Sequence, residues 1–553
     1  MPKKHHFLLL RHCVRSTPRG IDFGMGDETY SWRLDDYIDE PLPNWNTGEM
    51  DCIPDANGLV EKSGKWLIES GAIQPGSKIK WEIVADTVHR DVDTAFFLSS
   101  GIYEGLQSTY DMEQVETVGE RDIHANADFS DPTFCVPDIP DKDITNEVKN
   151  RLNEMPRPTL DFQDALQLAQ YLAGQGKAGN LKNTLTIHPE LNEDSWLVQG
   201  AASFLNAFGA TLFYARAGNV QPEFVADASK EQVFQLLQFT HWHRSVMEVG
   251  NSWSAVYGAM QAQALVQVLR LGYYQRPLSQ NPPISQDPSN TADDGDDEYD
   301  TSVTIVLGHD GDLDCIATAL GVQWILKKPY ISGPGGAFLP TPPMSGIHAV
   351  RDTTTDRIDL SFVYPMYSSD DSDKSPNFHH NKTGILESTP LLFQQGLPFS
   401  SVDGTSTQLN APKNHHKSSV DVLEDHILQV LSGYNQQATD CYHEAVDHWS
   451  TLTKPNHDPV SVLTSAPVRV EQNSLPASSP PLLVSLMVFG SGIIFGLFFM
   501  YMWSQRKYRT RSLVAESEDN PMKHTGYSTE CDNDENYDDD DDEEADSSNI
   551  EVV

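Results

Sequence analysis

The sequence predicts an α/β fold, in which a central, mostly parallel sheet is flanked by helices. Short, mainly apolar runs at Phe7–Leu10, Ile79–Ala85 and Val303–Leu307 have the length of buried strands. Apolar residues at helical spacing fill the region between the second and the third run. One uncharged run of 22 residues, Leu482–Trp503, is long enough to cross a bilayer, so the sequence also predicts one C-terminal transmembrane helix.

The composition indicates a folded protein that does not bind nucleic acid. The chain has 553 residues, of which 39% are hydrophobic and 9% aromatic, as in globular domains. Its formal net charge of -42 would repel nucleic acid, which proteins bind by neutralising phosphates with lysine and arginine. The cysteines show no zinc-site spacing, and they are Cys13, Cys52, Cys135, Cys315, Cys441 and Cys531. Disulfide bonds and free buried thiols both remain open, and neither a metal nor another cofactor is expected.

The first strand leads directly into a cluster of charged residues. In LLLRHCVRSTP (Leu8–Pro18), Arg11 and Arg15 lie on either side of His12. Open α/β sheets bind their ligands at the carboxyl ends of strands. Arginine matches phosphate oxygens with paired donors, and a neutral histidine can attack phosphorus. The stretch therefore predicts a phosphate site.

Two further strand ends carry similar chemistry. Arg90 follows the strand at 79–85 and begins a helix, where a surface arginine is the alternative interpretation. His309 and Asp310 follow the strand at 303–307 and precede the helical sequence 311–326. A turn with a capping aspartate is the alternative interpretation there.

The remaining elements are predicted from apolar periodicity. The predicted helices are Gly58–Gly71, Leu160–Leu172, Trp196–Gly209, Lys230–Val249 and Trp253–Leu271, and the last strands, both antiparallel, are Ile347–Val350 and Ile358–Tyr364. Arg244 lies within one of these helices. A structural helix face is favoured for it over a position in the site.

These motifs resemble the signatures of the histidine acid phosphatase family, the branch of the histidine phosphatase superfamily that includes phytases. LLLRHCVRSTP resembles RHGxRxP, and ADTVHRDVDTAFFLSSGI (Ala85–Ile102) resembles ADxxxRTxxTAxxFxxGL. GHDGDL (Gly308–Leu313) resembles the family's GHDxxL, while Asp131–Phe134 and Pro334–Gly336 resemble its DPxF and PGG segments. The resemblance covers residues 7 to about 450 in the family's order.

The resemblance implies an acid phosphatase that hydrolyses phosphate monoesters. His12 would attack phosphorus and form a phosphohistidine, and Asp310 would protonate the leaving alkoxide. The residues that would bind the phosphate are Arg11, Arg15, Arg90 and His309. Because Asp310 must begin the reaction protonated, an acidic pH optimum is expected.

The resemblance and the composition together predict a domain layout. The α/β domain would comprise residues 1–126 and 302–453, with a helical cap inserted at 127–275 and a disordered acidic loop at 276–301. A stalk at 454–481, the transmembrane helix at 482–503 and an acidic tail at 504–553 would follow.

Two departures from the family pattern leave a second function open. Cys13 stands where the family has glycine, and the RxP step is stretched to Arg15–Pro18. A catalytically weak, membrane-anchored protein that binds phosphate ligands is therefore the alternative to an enzyme. A phosphate monoester is the expected ligand for either function.

The residues around the predicted membrane segment indicate its orientation. Arg506 and Lys507 follow the segment, which places the tail in the cytosol and the preceding domain in a lumen or outside the cell. No signal peptide is visible at the N-terminus, since the apolar run there is too short. The spacing of Gly492 and Gly496 permits helix pairing, so a homodimer remains open.

Overall fold

Strand β1 (Lys4–Arg11) divides a mixed sheet into a parallel and an antiparallel part. On one side, β1 pairs in parallel with β8 (Thr301–Gly308), which is followed by β4 (Lys78–Ala85) and β5 (Glu116–Ala125), all parallel. On the other side, β1 pairs antiparallel with β10 (Gly346–Asp352). The predicted α/β class, with parallel strands in the central sheet and helices around it, is confirmed.

The computed structural model describes a large part of the chain up to residue 451. The described residues are 3–17, 20–21, 32–34, 37–39, 41–48, 50–110, 116–125, 135–174, 190–191, 198–218, 220, 225, 227–273, 299–327, 330, 338–365, 386–393, 399–402, 406–410 and 417–451. The chain separates into two units, Met1–Thr464 and Ser465–Val553, and all described residues belong to the first.

The strands of the main sheet follow the order β14-β15-β11-β10-β1-β8-β4-β5, with β12 also paired to β11. The other strands of this sheet are β11 (Arg357–Pro365), β12 (Leu386–Pro390), β14 (Phe399–Val402) and β15 (Ser406–Asn410), and they pair antiparallel. Three small two-stranded sheets are formed by β2 (Gly20–Ile21) with β3 (Trp32–Arg33), β6 (Glu190–Leu191) with β7 (Val198–Gln199), and β9 (Val322–Gln323) with β13 (Leu392–Phe393). The predicted antiparallel strands after residue 346 are therefore confirmed.

Helices cover both faces of the main sheet. They are α1 (Pro54–Glu69), α2 (His89–Thr109), α3 (Asp141–Glu154), α4 (Phe162–Ala173), α5 (Ala201–Ala217), α6 (Lys230–Glu248), α7 (Ser252–Leu271), α8 (Asp310–Leu320), α9 (Ser419–Ser432) and α10 (Gln436–Thr451). Helices α1 and α2 pack on one face, and the helices from α4 to α9 contribute to the core on the other face.

The alternation of side chains along β1 connects the sheet to two separate cores. Phe7 and Leu9 belong to the larger core, whereas Leu8 and Leu10 belong to the smaller core beneath α1 and α2. All four side chains are at most 1% exposed. Successive residues of a strand point to opposite faces, so a run of apolar residues is what a strand covered on both faces requires.

Several predicted helices have different ends in the structure. The predicted helix Gly58–Gly71 begins at Pro54 and ends at Glu69. The predicted helix 311–326 ends at Leu320, because Gly321 has a φ of +62°, in the left-handed region where glycine ends helices. The next residues, Val322–Gln323, form β9 instead. The predicted helix Trp196–Gly209 begins at Ala201, after Gly200 with a φ of +77°.

The prediction of a transmembrane helix concerns residues outside this description. Among the described residues, none of the helices is both long and apolar enough to cross a bilayer. The predicted segment Leu482–Trp503, the stalk and the tail all lie beyond residue 451, outside the described residues.

Two buried histidines contact each other across β1 and β10. The Nδ1 atom of His6 lies 3.1 Å from the Nε2 atom of His348, and the two rings stack. Burial lowers the pKa of His348 to about 4. Burial also lowers the pKa of His6 well below its ordinary value, with help from the charges of His348 and Lys4.

These buried histidines predict that the fold loses stability in acid. An unfolded histidine takes up a proton below its ordinary pKa of 6.5, whereas folded His348 does so only near 4. The resulting contribution to the free energy of unfolding is therefore present above pH 6.5 and is lost as the pH falls towards 4. At pH 5 the loss at His348 is about 2 kcal/mol.

We expect His348→Gln to reduce the difference between the free energies of unfolding at pH 7.5 and pH 5 by about 2 kcal/mol. Urea unfolding of the full chain at both pH values measures this difference. His89→Gln, at a side chain that is 73% exposed, is the control and should keep the wild-type pH dependence. An unchanged pH dependence in His348→Gln would contradict the assignment.

Candidate active site

Three neighbouring parallel strands end at the same edge of the sheet. Arg11, the last residue of β1, pairs with Gly308 at the end of β8, and Ala85 of β4 pairs with Leu307. The backbone continues this alignment beyond the strands, because the His12 N–H donates to the Gly308 carbonyl over 3.0 Å. The residues that follow each strand therefore meet in one crevice, as expected for an open α/β sheet.

His12 is buried in this crevice as a neutral ring. Its Nδ1 lies 2.9 Å from the carbonyl oxygen of Cys13. Since a carbonyl only accepts hydrogen bonds, Nδ1 carries the proton and Nε2 keeps its lone pair. No residue in the described part of the chain bonds to Nε2. Burial and the nearby charges of Arg11 and Arg90 hold the pKa of His12 well below its ordinary value.

Arg11 contacts three different acceptors while it is only 2% exposed. Its Nη2 lies 3.1 Å from Oδ2 of Asp310 and 2.5 Å from the hydroxyl oxygen of Tyr214. Its Nη1 donates to the carbonyl oxygen of Thr341. These contacts fix the guanidinium group beside His12.

Arg15 approaches the same tyrosine from its own position in the loop. The guanidinium carbons of Arg11 and Arg15 lie 5.8 and 5.6 Å from the centre of the Tyr214 ring. At such distances a cation is attracted to the ring face. Tyr214 thus brings the two arginines of the RHCVR segment together, although they would repel each other in isolation.

Arg90 and His309 lie next to each other beside His12. The Nη2 atom of Arg90 is 3.2 Å from Nδ1 and 3.3 Å from Nε2 of His309. The ring of His309 meets the ring of His12 edge-on, with 5.4 Å between the centres. All six residues that the sequence predicts for the site therefore lie close together at one end of the sheet, with Arg15 reaching it through the Tyr214 ring.

His309 also contacts Asp86, which follows β4. Its Nε2 lies 3.1 Å from Oδ2 of Asp86. Burial alone would lower the pKa of His309, but the hydrogen bond with Asp86 and the charges of Asp91 and Asp312 outweigh burial and raise it. The surroundings of His309 thus favour its protonated form, whereas those of His12 favour the neutral ring.

Asp310 is ionised in this arrangement. Its Oδ2 lies 3.1 Å from Arg11 and 3.6 Å from Nη1 of Arg244. Burial alone would raise the pKa of Asp310, but the charges of Arg11, Arg244 and Arg15 outweigh burial and hold it well below its usual range. The structure therefore presents a carboxylate where the sequence interpretation requires an acid at the start of the reaction.

Sequence reasoning missed two residues of the site, Arg244 and Tyr214. Arg244 is 6% exposed and contacts Asp310 as well as Asp314 and the carbonyl oxygen of Leu339. Arg244 stands among other polar residues in THWHRS (Thr240–Ser245), so the local pattern carried little signal and a helix face was favoured. Tyr214 comes from an apolar helix where nothing in the local pattern distinguishes it from core residues.

A disulfide bond explains how Cys13 fits beside His12. Cys13 is bonded to Cys52, and both side chains pack into the smaller core with Leu10. The Cys13 N–H donates to Oγ1 of Thr94 over 3.0 Å, and this hydroxyl donates to the carbonyl oxygen of Arg90 over 2.7 Å. The disulfide thereby connects the loop of His12 to the segment before α1, and Thr94 connects the same loop to α2, the helix of Arg90.

The other described cysteines show which thiols are bonded and which are free. Cys135 and Cys441 form a second disulfide bond, 306 residues apart in sequence. Cys315 is buried and has a free thiol. Both disulfide bonds and a free buried thiol are therefore present.

Comparison with solved structures identifies the fold. The phytase of Hafnia alvei in complex with myo-inositol hexakis sulphate is similar, with a TM-score of 0.50 and 14% identity over 79% of this chain and 98% of that chain. The phytase of Citrobacter braakii has a TM-score of 0.48 and 15% identity over 79% of this chain and 99% of that chain. At 14% identity, the similarity to the Hafnia alvei structure shows the fold alone, and the described chain therefore has a phytase-type fold.

A third solved structure is more distant. The multiple inositol polyphosphate phosphatase of Bifidobacterium longum, in complex with inositol hexasulfate, has a TM-score of 0.34 and 10% identity over 65% of this chain and 85% of that chain. No family model and no curated protein matches the sequence.

The disulfide beside His12 predicts a specific loss of stability. Removing it with Cys13→Ala and Cys52→Ala should lower the free energy of unfolding by about 4 kcal/mol, because it closes a loop of 39 residues. Binding of inorganic phosphate should also weaken, since the loop of His12 loses its covalent link to the segment before α1. Urea unfolding and phosphate titration measure the two effects.

Cys315→Ala is the matched control, because it removes a buried sulfur without cutting a cross-link. It should lose less stability and keep the wild-type phosphate affinity. Equal losses in both proteins would mean that the Cys13–Cys52 bond contributes nothing beyond packing.

Proposed function

We propose that this chain is a histidine acid phosphatase, which hydrolyses phosphate monoesters through a phosphohistidine on His12. The observation that supports this most is the convergence of one neutral histidine, three arginines, a second histidine and an aspartate at three adjacent strand ends. The phytase-type fold is consistent with the proposal.

The positive groups would supply most of the catalysis. Hydrolysis of a phosphate monoester is extremely slow without a catalyst, so the site must stabilise charge on the non-bridging oxygens. The groups proposed to hold these oxygens are Arg11, Arg15, Arg90 and His309. Each is held by neighbouring protein groups before the substrate arrives, so little reorganisation is needed in the transition state.

His12 is proposed as the nucleophile because of its tautomer and charge. Its Nδ1 proton is engaged by the Cys13 carbonyl, which leaves the Nε2 lone pair for phosphorus. Its depressed pKa keeps the ring neutral in acid, where an ordinary histidine would be protonated and inert. Burial among arginines therefore keeps the histidine nucleophile neutral at acidic pH.

Asp310 is proposed to give a proton to the leaving oxygen and later to remove one from water. In the substrate-free site it is a carboxylate paired with Arg11 and Arg244. A bound phosphate dianion would share Arg11 and add negative charge beside Asp310, and both effects raise its pKa. Substrate binding would thus prepare the acid, most effectively at low pH.

The alternative function, a protein that binds phosphate ligands without turnover, was motivated by Cys13 and by the stretched RxP step, whose Pro18 lies outside the described residues. The structure describes Cys13. Its backbone does not adopt the left-handed conformation, and its side chain lies in the core. The fold therefore accommodates cysteine at the position where the family has glycine.

The first test is release of phosphate from p-nitrophenyl phosphate by the purified full chain between pH 4 and pH 7. We expect His12→Ala to lower kcat by roughly 10³-fold or more, because it removes the atom that attacks phosphorus. His89→Ala, an exposed histidine on the neighbouring helix, is the control and should retain wild-type activity. A folded wild-type chain that binds phosphate but releases none would favour the binding protein instead.

The second test addresses Asp310 through the leaving group. We expect Asp310→Asn to lower kcat/KM by roughly 10²-fold or more for glycerol phosphate, whose alkoxide needs a proton to leave. The loss for p-nitrophenyl phosphate should be much smaller, because nitrophenolate leaves without one. Equal losses for both substrates would exclude Asp310 as the proton donor.

A further inference from the structure

Three side chains from separate elements form a compact cluster at the inner end of the crevice. Asp86 follows β4, Asp91 lies in the first turn of α2, and His309 follows β8. One ligand atom from each lies within 4.8 Å of the other two. The Nε2 atom of His309 is 3.1 Å from Asp86, and its Nδ1 is 3.7 Å from Oδ2 of Asp91.

Asp91 has no adequate partner for its carboxylate. Its side chain is fully buried, and neither of its oxygens accepts a hydrogen bond from the described residues. A buried carboxylate without a partner is costly, so such a group is normally paired, bound to a metal ion or neutralised by a proton. Burial raises the pKa of Asp91 to about 7, and the neutral acid would still leave its polar atoms without a hydrogen bond. Its Oδ2 points towards His309, and therefore into the cluster.

The alternative to a ligand site is that both carboxylates hold His309 as an imidazolium. Asp86 fits this role, since its oxygen lies at hydrogen-bond distance. Asp91 does not, because 3.7 Å is too long for a hydrogen bond. The imidazolium thus leaves both oxygens of Asp91 unsatisfied, whereas an ion bound among the three side chains would satisfy them.

We propose that Asp86, Asp91 and His309 form a site for one divalent cation of the zinc type. An imidazole nitrogen with two carboxylates suits borderline ions such as Zn²⁺, which bind nitrogen and oxygen at about 2.0–2.2 Å. Ligand atoms around a tetrahedral ion of this kind lie about 3.4 Å apart. The ligand atoms of the cluster, which lie within 4.8 Å of one another, would therefore move closer together when the ion binds. The sequence did not predict this site, because 218 residues separate Asp91 from His309.

The surrounding charges both favour and oppose a cation. Asp312 adds negative charge next to His309, whereas the guanidinium group of Arg90 lies 3.2 Å from its ring. The side chain of His309 is 24% exposed and that of Asp86 is 11% exposed. A cation would therefore enter from the crevice, along the route that the phosphate takes.

Occupancy of the site has a consequence that depends on the proposed phosphatase function. A ring nitrogen bound to a metal ion cannot donate a hydrogen bond to a phosphate oxygen. The cation and the substrate then compete for His309, and zinc raises KM more than it lowers kcat. The site would make the enzyme sensitive to free transition-metal ions.

Titration of the purified, metal-free full chain with Zn²⁺ against a chromophoric chelator tests the site directly. We expect Asp91→Asn to weaken the tightest zinc site at least tenfold. Asp93→Asn removes a carboxylate two residues away, on a side chain that is 37% exposed, and should bind zinc like the wild type. Acidic residues elsewhere, including the C-terminal tail, contribute equally to all variants.

Equal zinc affinity in the wild type and Asp91→Asn would overturn the proposal. Thermal unfolding establishes that Asp91→Asn is folded, and Asp86→Asn provides the same comparison if it is not. Zinc inhibition of phosphate release tests the competition separately, and inhibition that persists in Asp91→Asn would exclude it. If the wild type releases no phosphate, the proposed function fails while the zinc titration still decides the site.

Discussion

The shared register of three parallel strands, β4, β8 and β1, is the constraint on which the crevice depends. It places Arg11, Asp86 and His309, which are distant in sequence, at one edge of the sheet. The two cores hold β1 in this register, because a slip of one residue would exchange the side chains that face each core. Packing energy from apolar residues therefore also fixes the positions of the charged ones.

The charge distribution in the crevice follows from this convergence. Arg11 and Arg244 share Asp310, and Asp86 and Asp91 lie beside His309. The carboxylates lower the cost of burying the cationic groups that they contact. In the proposed function, a phosphate group would replace part of these contacts.

Much of the fold was predictable because its signals are local. Apolar strands such as Val303–Leu307, and the charged residues directly after them, are visible in short stretches of sequence. Helix ends were less predictable, because the end of α8 depends on the left-handed conformation of Gly321 within a continuing apolar pattern.

The remaining parts of the site depend on contacts between distant segments. Arg244 and Tyr214 reach the crevice from helices whose sequences resemble core helices. The pairing of Cys13 with Cys52 is one of several that the sequence allows. Asp91 looks like an ordinary acidic residue in the first turn of a helix, and only the packing around it reveals its burial.

The measurement that tests the proposed mechanism most directly is isolation of its covalent intermediate. The full chain is mixed with a ³²P-labelled monoester, quenched under denaturing alkaline conditions and digested, and the labelled peptide is identified by mass spectrometry. The mechanism predicts an acid-labile phosphoryl group on Nε2 of His12. A label on another residue, or none during continuous turnover, would contradict nucleophilic catalysis by His12.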